Sequence, residues 1–299
     1  MPLPAPPLRR AISAAEAVAK RSGLTVLIVP RRGLVIWAVA RTAEATVLGV
    51  RSGWMPEAEA GPSWGKAYAA AVQAVSELAP GRNQPVYSVL DAVGERLLGL
   101  GLPVDFSYPP AAGVVATDRA VAEVLAALFS SLEIATDASV GHRTAWAGHG
   151  WVLDFGRGLP LRAGLKAVSG GSILESELRA IRLALNAGKN AHTGVLDGSC
   201  AVTVSSDNLT AVNMLNAGGL HRGQSTLACL EEVERIRTLV TFANVQFRWV
   251  KGHSDHRLNN FADRLAVMAR RHKEADLPAD ETWRMAAGIV EQGHLGLAA

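Results

Sequence analysis

Trp249-Val-Lys-Gly-His253-Ser-Asp-His-Arg-Leu-Asn259-Asn-Phe-Ala-Asp263 is the stretch on which the reading of the second half of this chain turns. Val245 to Val250 is a β-branched and aromatic run that predicts a strand, and Asn260 to Arg271 carries the spacing of a helix. Gly252 and His253 fall in the loop between them, and Asp263 follows on the helix. A strand end, a loop histidine and a helical carboxylate therefore stand together where a sheet opens onto a crevice.

Working outward, Leu227 to Val240 reads as a helix with alternating charges on its exposed face. Leu209 to Leu215 is a helix stopped by Gly218-Gly219, and Val202 to Ser205 is a short buried-type strand. Glu175 to Leu185 places Leu178, Ile181 and Leu185 on one helical face. Ahead of it, Leu132 to Asp137, Ala145 to Asp154 and Leu161 to Ala167 read as a meander of three strands with glycine turns. The order β-β-β-α-β-α-α-β-α specifies an α/β domain, a mixed five-stranded sheet with helices on its faces.

Four acidic residues fall where these strands end or helices begin: Asp137, Glu177, Asp207 and Asp263. Gathering them in one crevice is electrostatically costly unless cations neutralise them, since each anion raises its neighbours' pKa and loses hydration. Oxygen-only ligation suits Mg²⁺ or Mn²⁺. Cys200 and Cys229 are the only cysteines and form no CxxC pair, which argues against zinc and disulfides and for a reducing cytoplasm.

These residues carry a resemblance. Ile134-Ala-Thr-Asp137-Ala-Ser139, Glu177-Leu-Arg-Ala180, Val204-Ser-Ser-Asp207-Asn208 and the Trp249–Asp263 block resemble, in order, the motifs of ribonuclease H type 1. The resemblance implies endonucleolytic hydrolysis of the RNA strand of an RNA–DNA hybrid with two Mg²⁺ or Mn²⁺ ions. It makes Asp137 the residue that bridges both ions, sets Glu177 and Asp207 on the side of the attacking water, and sets Asp263 on the leaving-group side. His253 assists proton transfer or product departure, while Ser139, Asn208 and Asn259 serve the substrate. The family's basic, Trp-rich handle helix is absent between Asp207 and His253, so substrate grip comes from elsewhere. The alternative function is a catalytically weak or inactive nucleic-acid-binding protein of the same fold.

Singly, these residues read more plainly. Asp207 and Glu175 suit helix N-caps, and His142, His149, His192 and His256 read as ordinary surface-loop histidines. The joint pattern overrides the single readings.

Composition bounds the rest. A chain of 299 residues with 49% hydrophobic and 19% charged residues is globular and long enough for two domains. A net charge of +3 is too small to argue for nucleic acid. No apolar run approaches the ~18 residues of a membrane helix, so no membrane association is expected. Residues 1–22 read as a Pro-rich leader, 23–129 as an N-terminal α/β domain, 130–273 as the catalytic domain and 274–299 as a C-terminal tail. The N-terminal domain offers strands at 24–30, 33–41, 45–52, 85–90 and 104–108, helices at 64–78 and 91–100, and a helix from Thr117 to Phe129. That order is close to a degenerate, metal-free copy of the second half, with Pro30 or a neighbour opposite Asp137, Ala67 or Tyr68 opposite Glu177, Val89 opposite Asp207, and Asp118 alone acidic. Its roles would be substrate contact through Arg31, Arg32, Arg41 and Arg51, or a homo-oligomer interface.

General acid–base help is worth ~10²–10⁴-fold, so His253→Ala should slow hybrid cleavage by that order without abolishing it. Loss of divalent-ion binding by this variant in calorimetry would make His253 a ligand instead.

Overall fold

The computed structural model describes residues 22–79, 84–142, 144–191, 195–216, 226–252 and 256–295, and the chain divides after Ala127 into two compact units. All but the last residue of the expected leader lies outside the described residues.

The first unit runs β1 (Gly23–Arg31), β2 (Leu34–Ala43), β3 (Thr46–Pro56), α1 (Gly65–Leu78), β4 (Val86–Ser88), α2 (Asp91–Gly99), β5 (Val104–Asp105) and α3 (Ala111–Leu128). Its sheet has the order β3-β2-β1-β4-β5, antiparallel through the meander and parallel across β1, β4 and β5. Leu24, Val26 and Ile28 alternate inward from β1 and meet Ala67, Tyr68, Ala71 and Val75 of α1, the period of 2 meeting the period of 3.6. Helix α3 begins six residues earlier than the sequence suggests, because the Pro110 carbonyl accepts from the N–H groups of Gly113 and Val114. Gly113 sits in this helix because a Cβ there would fall 2.1 Å from Thr25 Oγ1.

The second unit runs β6 (Ser131–Val140), β7 (Trp146–Asp154), β8 (Arg162–Ser169), α4 (Ile173–Ala191), β9 (Ala201–Ser206), α5 (Leu209–Asn216), α6 (Leu227–Leu239), β10 (Asn244–Trp249), α7 (Arg257–Glu274) and α8 (Ala279–Leu295). Its sheet order is β10-β9-β6-β7-β8, again antiparallel in the meander and parallel from β6 through β9 to β10. Counted within each unit, both sheets read third, second, first, fourth, fifth strand, so the first unit repeats the topology of the second. The repeat extends to a detail. Trp37 on β2 covers Gly53 across on β3, and Trp151 on β7 covers Gly164 across on β8.

The face of β6 that carries Asp137 corresponds in β1 to Thr25, Leu27 and Val29, so of Pro30 and its neighbours it is Val29 that stands opposite Asp137, since period-2 alternation puts Pro30 on the other face. All three are buried and none is acidic, and Asp118 is exposed. Residues 274–299, read as a tail, contain α8. Ala286 and Ile289 at helical spacing join Leu258, Leu265 and Met268 in the core, and His272 Nδ1 lies 2.9 Å from Thr282 Oγ1. Among the described residues no helix is long and apolar enough to cross a membrane.

Helix α7 lies unusually close to the sheet. A Cβ on Gly150 would stand 2.2 Å from the Ala262 carbonyl oxygen and 2.6 Å from the Ala266 nitrogen, and one on Gly148 2.1 Å from the Ala266 oxygen. Gly150 pairs with Asp137 and Ala262 precedes Asp263, so this contact sets the separation of two of the four acids. Overpacking against backbone costs ~1–3 kcal/mol, so Gly150→Ala should lower the midpoint of thermal unfolding by several degrees. Gly288→Ala is the control, since that Cβ meets nothing within 4 Å and alanine favours a helix. Equal midpoints for the two variants would show that α7 is free to move outward.

Candidate metal centre

Each acidic side chain reaches the centre by its own local device. Asp137 is on β6 with Ala135 and Ser139 on the α7 face, and Ser139 Oγ accepts from Arg270 Nε at 3.0 Å. Ser172 caps α4 by accepting from the Glu175 N–H at 3.2 Å, and Glu175 then pairs with Arg179, which leaves Glu177 to turn inward. Asn208, rather than Asp207, caps α5, since its Oδ1 accepts from the Ala211 N–H at 2.9 Å. Asp207 is thereby released at the end of β9, where Trp249 Nε1 donates to its carbonyl oxygen at 2.9 Å. His256 caps α7 by accepting from the Asn259 N–H at 3.3 Å, and Asp263 follows on the second turn.

Asp137, Glu177 and Asp207 bring one carboxylate oxygen each within 4.8 Å of one another. Asp137 and Glu177 are buried and Asp207 half-buried. Asp263, half-buried, stands outside that triad but close enough for its charge to act on Asp137. Burial first, and then the charges of Asp207 and Asp263, push the Asp137 carboxyl up to about 8, against the Ala138 N–H that donates to it at 2.6 Å. Burial and the charges of Asp137 and Asp207 hold Glu177 well above its ordinary value, although the Ala138 N–H and the Ser206 hydroxyl oppose this. The Ser206 hydroxyl also accepts from the Asn208 N–H, so one residue orients both Glu177 and the cap of α5.

The donor set fits hard divalent cations. Its groups are all oxygen, and Glu177 Oε2 is buried without a hydrogen-bond partner among the described residues. A group that costs its full desolvation is retained where a charge is to be bound.

Of the other residues singled out from sequence, His253 lies outside the described residues. Asn259 is 2% exposed with Oδ1 buried and without a hydrogen-bond partner among the described residues, four residues before Asp263 on the same face of α7. His149 is no surface-loop histidine: it is fully buried on β7, its Nδ1 is 3.0 Å from the Lys166 carbonyl, and burial pushes its pKa down to about 4. It lies near Glu232, a buried carboxylate. Burial opposes the ionisation of Glu232, but Arg182, Arg179 and Arg235 together outweigh it and hold its pKa low. That cluster ties α6 to α4, the helix of Glu177. His142 stays ordinary and His192 lies outside the described residues.

Sequence reading missed Gly252. A Cβ there would stand 2.6 Å from Asp207 Oδ2, so the loop backbone passes directly over a carboxylate of the triad. A glycine before the loop histidine was the available signal.

Residues 130–271 match the family model described as RNase H. The ribonuclease H of Rippkaea orientalis is 30% identical over 159 residues, which span 50% of this chain and 90% of that protein. The ribonuclease H of Desulforamulus reducens is 35% identical over 94 residues, 28% of this chain and 58% of that protein. Among solved structures, RNase H1 from the archaeon Halobacterium salinarum NRC-1 superposes with a TM-score of 0.39 at 20% identity, over 46% of this chain and 96% of that one.

The raised carboxyls carry a pH dependence of definite sign. Asp137 binds its proton more tightly folded than unfolded, so the metal-free protein is favoured below about pH 4 at this group and loses that stability as pH rises toward 8. Asp137→Asn removes the loss. The unfolding midpoint of the variant minus that of the wild type, without divalent ions, should grow steadily from pH 5 to pH 8, and Mg²⁺ should raise the wild type more than the variant. A difference independent of pH would mean that the acids do not crowd one another.

Proposed function

Because the chain belongs to the ribonuclease H family, we propose that it is an endoribonuclease that hydrolyses the RNA strand of RNA–DNA hybrids with two divalent metal ions, Mg²⁺ or Mn²⁺. The observation that supports this most is the convergence of Asp137, Glu177 and Asp207 at one end of the sheet, with Asp263 beside them. A protein that only bound nucleic acid would gain nothing from these mutually repelling buried acids, and neutral replacements would stabilise it.

In this reading Asp137, Glu177, Asp207 and Asp263 hold the ions. Bound divalent ions supply Lewis acidity at the scissile phosphate and lower the pKa of the attacking water. The protein's own contribution is position. Asp137 is fixed by the Ala138 N–H, Glu177 by Ser206, Asp207 by the Trp249 indole through its own carbonyl, and Asp263 by the close seat of α7 on Gly150. His253 follows Gly252, whose backbone crosses Asp207, and the family resemblance assigns it proton transfer or product departure. Asn259 turns a buried carbonyl oxygen on the Asp263 face of α7 and is assigned with Ser139 and Asn208 to the substrate. The first unit, which has no acid on the corresponding face of β1, serves binding or assembly rather than hydrolysis.

A strand-labelled RNA–DNA hybrid decides the matter, run beside double-stranded RNA and single strands with and without Mg²⁺. The wild type should cut the RNA strand of the hybrid internally and only with the ion. Asp137→Asn should lose at least a thousandfold in rate while keeping its fold and its affinity for the hybrid. Cleavage by Asp137→Asn at the wild-type rate removes that residue from the centre; absence of any wild-type cleavage leaves a binding protein.

A further inference from the structure

A groove between α7 and α8 adjoins the acidic centre, since Asp263 is one of its lining residues. It has a volume of about 680 Å³ and opens at Asp263. Arg264 and Arg271 form its cationic rim, Val267, Met268, Met285 and Ile289 its floor. On α7 the positions 264, 267, 268 and 271 are one helical stripe, and the two arginines are about 10.5 Å apart along the axis, the rise of seven residues.

We infer that this groove binds a single strand of nucleic acid, the unpaired continuation of the hybrid beyond the acidic centre. The inference rests on the nuclease reading for the direction of the strand, but its chemistry comes from the groove. A duplex turns phosphates outward and has no use for an apolar floor, whereas a single strand offers base faces to methionine and valine and phosphates to the arginines. Met285 is 48% exposed and Trp283, on the neighbouring hollow that shares His272 and Leu277 with this one, is 53% exposed. Lys166 and Lys273 line that hollow, Lys273 paired with Asp276 and over the Trp146 ring. Helix α8, one wall of the groove, lies beyond the residues that match the family model. The buried His272–Thr282 contact seats α8 on α7 and makes the groove a fixed one.

Two full-length variants test it, Arg271→Gln on the exposed rim and Met285→Glu on the half-exposed floor, each checked for an unchanged unfolding midpoint. With fluorescent oligothymidine and no divalent ion, Arg271→Gln should reduce the slope of log affinity against log salt by ~0.7, the value for one phosphate of a single strand. Met285→Glu should weaken binding roughly tenfold or more. With Mg²⁺, both variants should cut a blunt hybrid at the wild-type rate, and both should lose any advantage that a single-stranded overhang gives the wild type. Wild-type affinity and salt slope for oligothymidine in both variants would overturn the groove as a nucleic-acid site. Failure of the wild type to cut the blunt hybrid would instead sink the nuclease reading, while the oligothymidine result still decides the groove.

Discussion

Mutual repulsion among buried carboxylates is the constraint around which the second unit is organised. Three acids within 4.8 Å, with a fourth acting on Asp137, oppose folding in their charged form when no cation is bound, and burial first, then the charges of Asp207 and Asp263, drive the pKa of Asp137 up to about 8. The rest of the unit supplies the compensating stability. Leu132 and Ile134 of β6 and Leu178, Ile181 and Leu185 of α4 are all buried beneath the site, and apolar burial is worth ~25 cal/mol per Å².

Rigidity comes from how little space is left between elements. Gly148 and Gly150 bring α7 onto β7 at backbone distance, and Gly252 brings the following loop onto Asp207. In both places the absent Cβ turns a packing detail into a catalytic one: side chains on different elements meet because backbones touch. Arg270, bonded to Ser139 and to Glu274, and Glu274, bonded in turn to Thr144, pin the far end of α7 to the β6–β7 hairpin.

The first unit shows what the same topology looks like without that constraint. Its sheet has the same strand order and directions and the same tryptophan-over-glycine pair, yet Leu27 and Val29 fill the face that carries Asp137 in the second unit. Apolar residues there need neither cation nor caps to orient them. A duplicated fold that keeps its core and drops its acids is consistent with selection on binding or assembly once hydrolysis is carried by its twin.

Period and punctuation in the sequence sufficed for the order of elements as far as residue 274, for the α/β class and for singling out four acids, because strand alternation, helical spacing and glycine turns are local properties of the chain. Motif spacing likewise favoured Glu177 over Glu175, two positions that composition alone treats as equal. What sequence could not decide was which neighbour each polar side chain takes. That Asn208 rather than Asp207 caps α5, that His149 is buried rather than in a loop, and that residues after 274 form a helix with Ala286 and Ile289 in the core all follow from long-range contacts. The convergence of the acids is of the same kind. Asp137 and Asp263 lie far apart in the chain, and the closeness of α7 to the sheet, with a hydrogen atom in place of a Cβ at Gly150, brings the fourth acid within electrostatic reach of the triad.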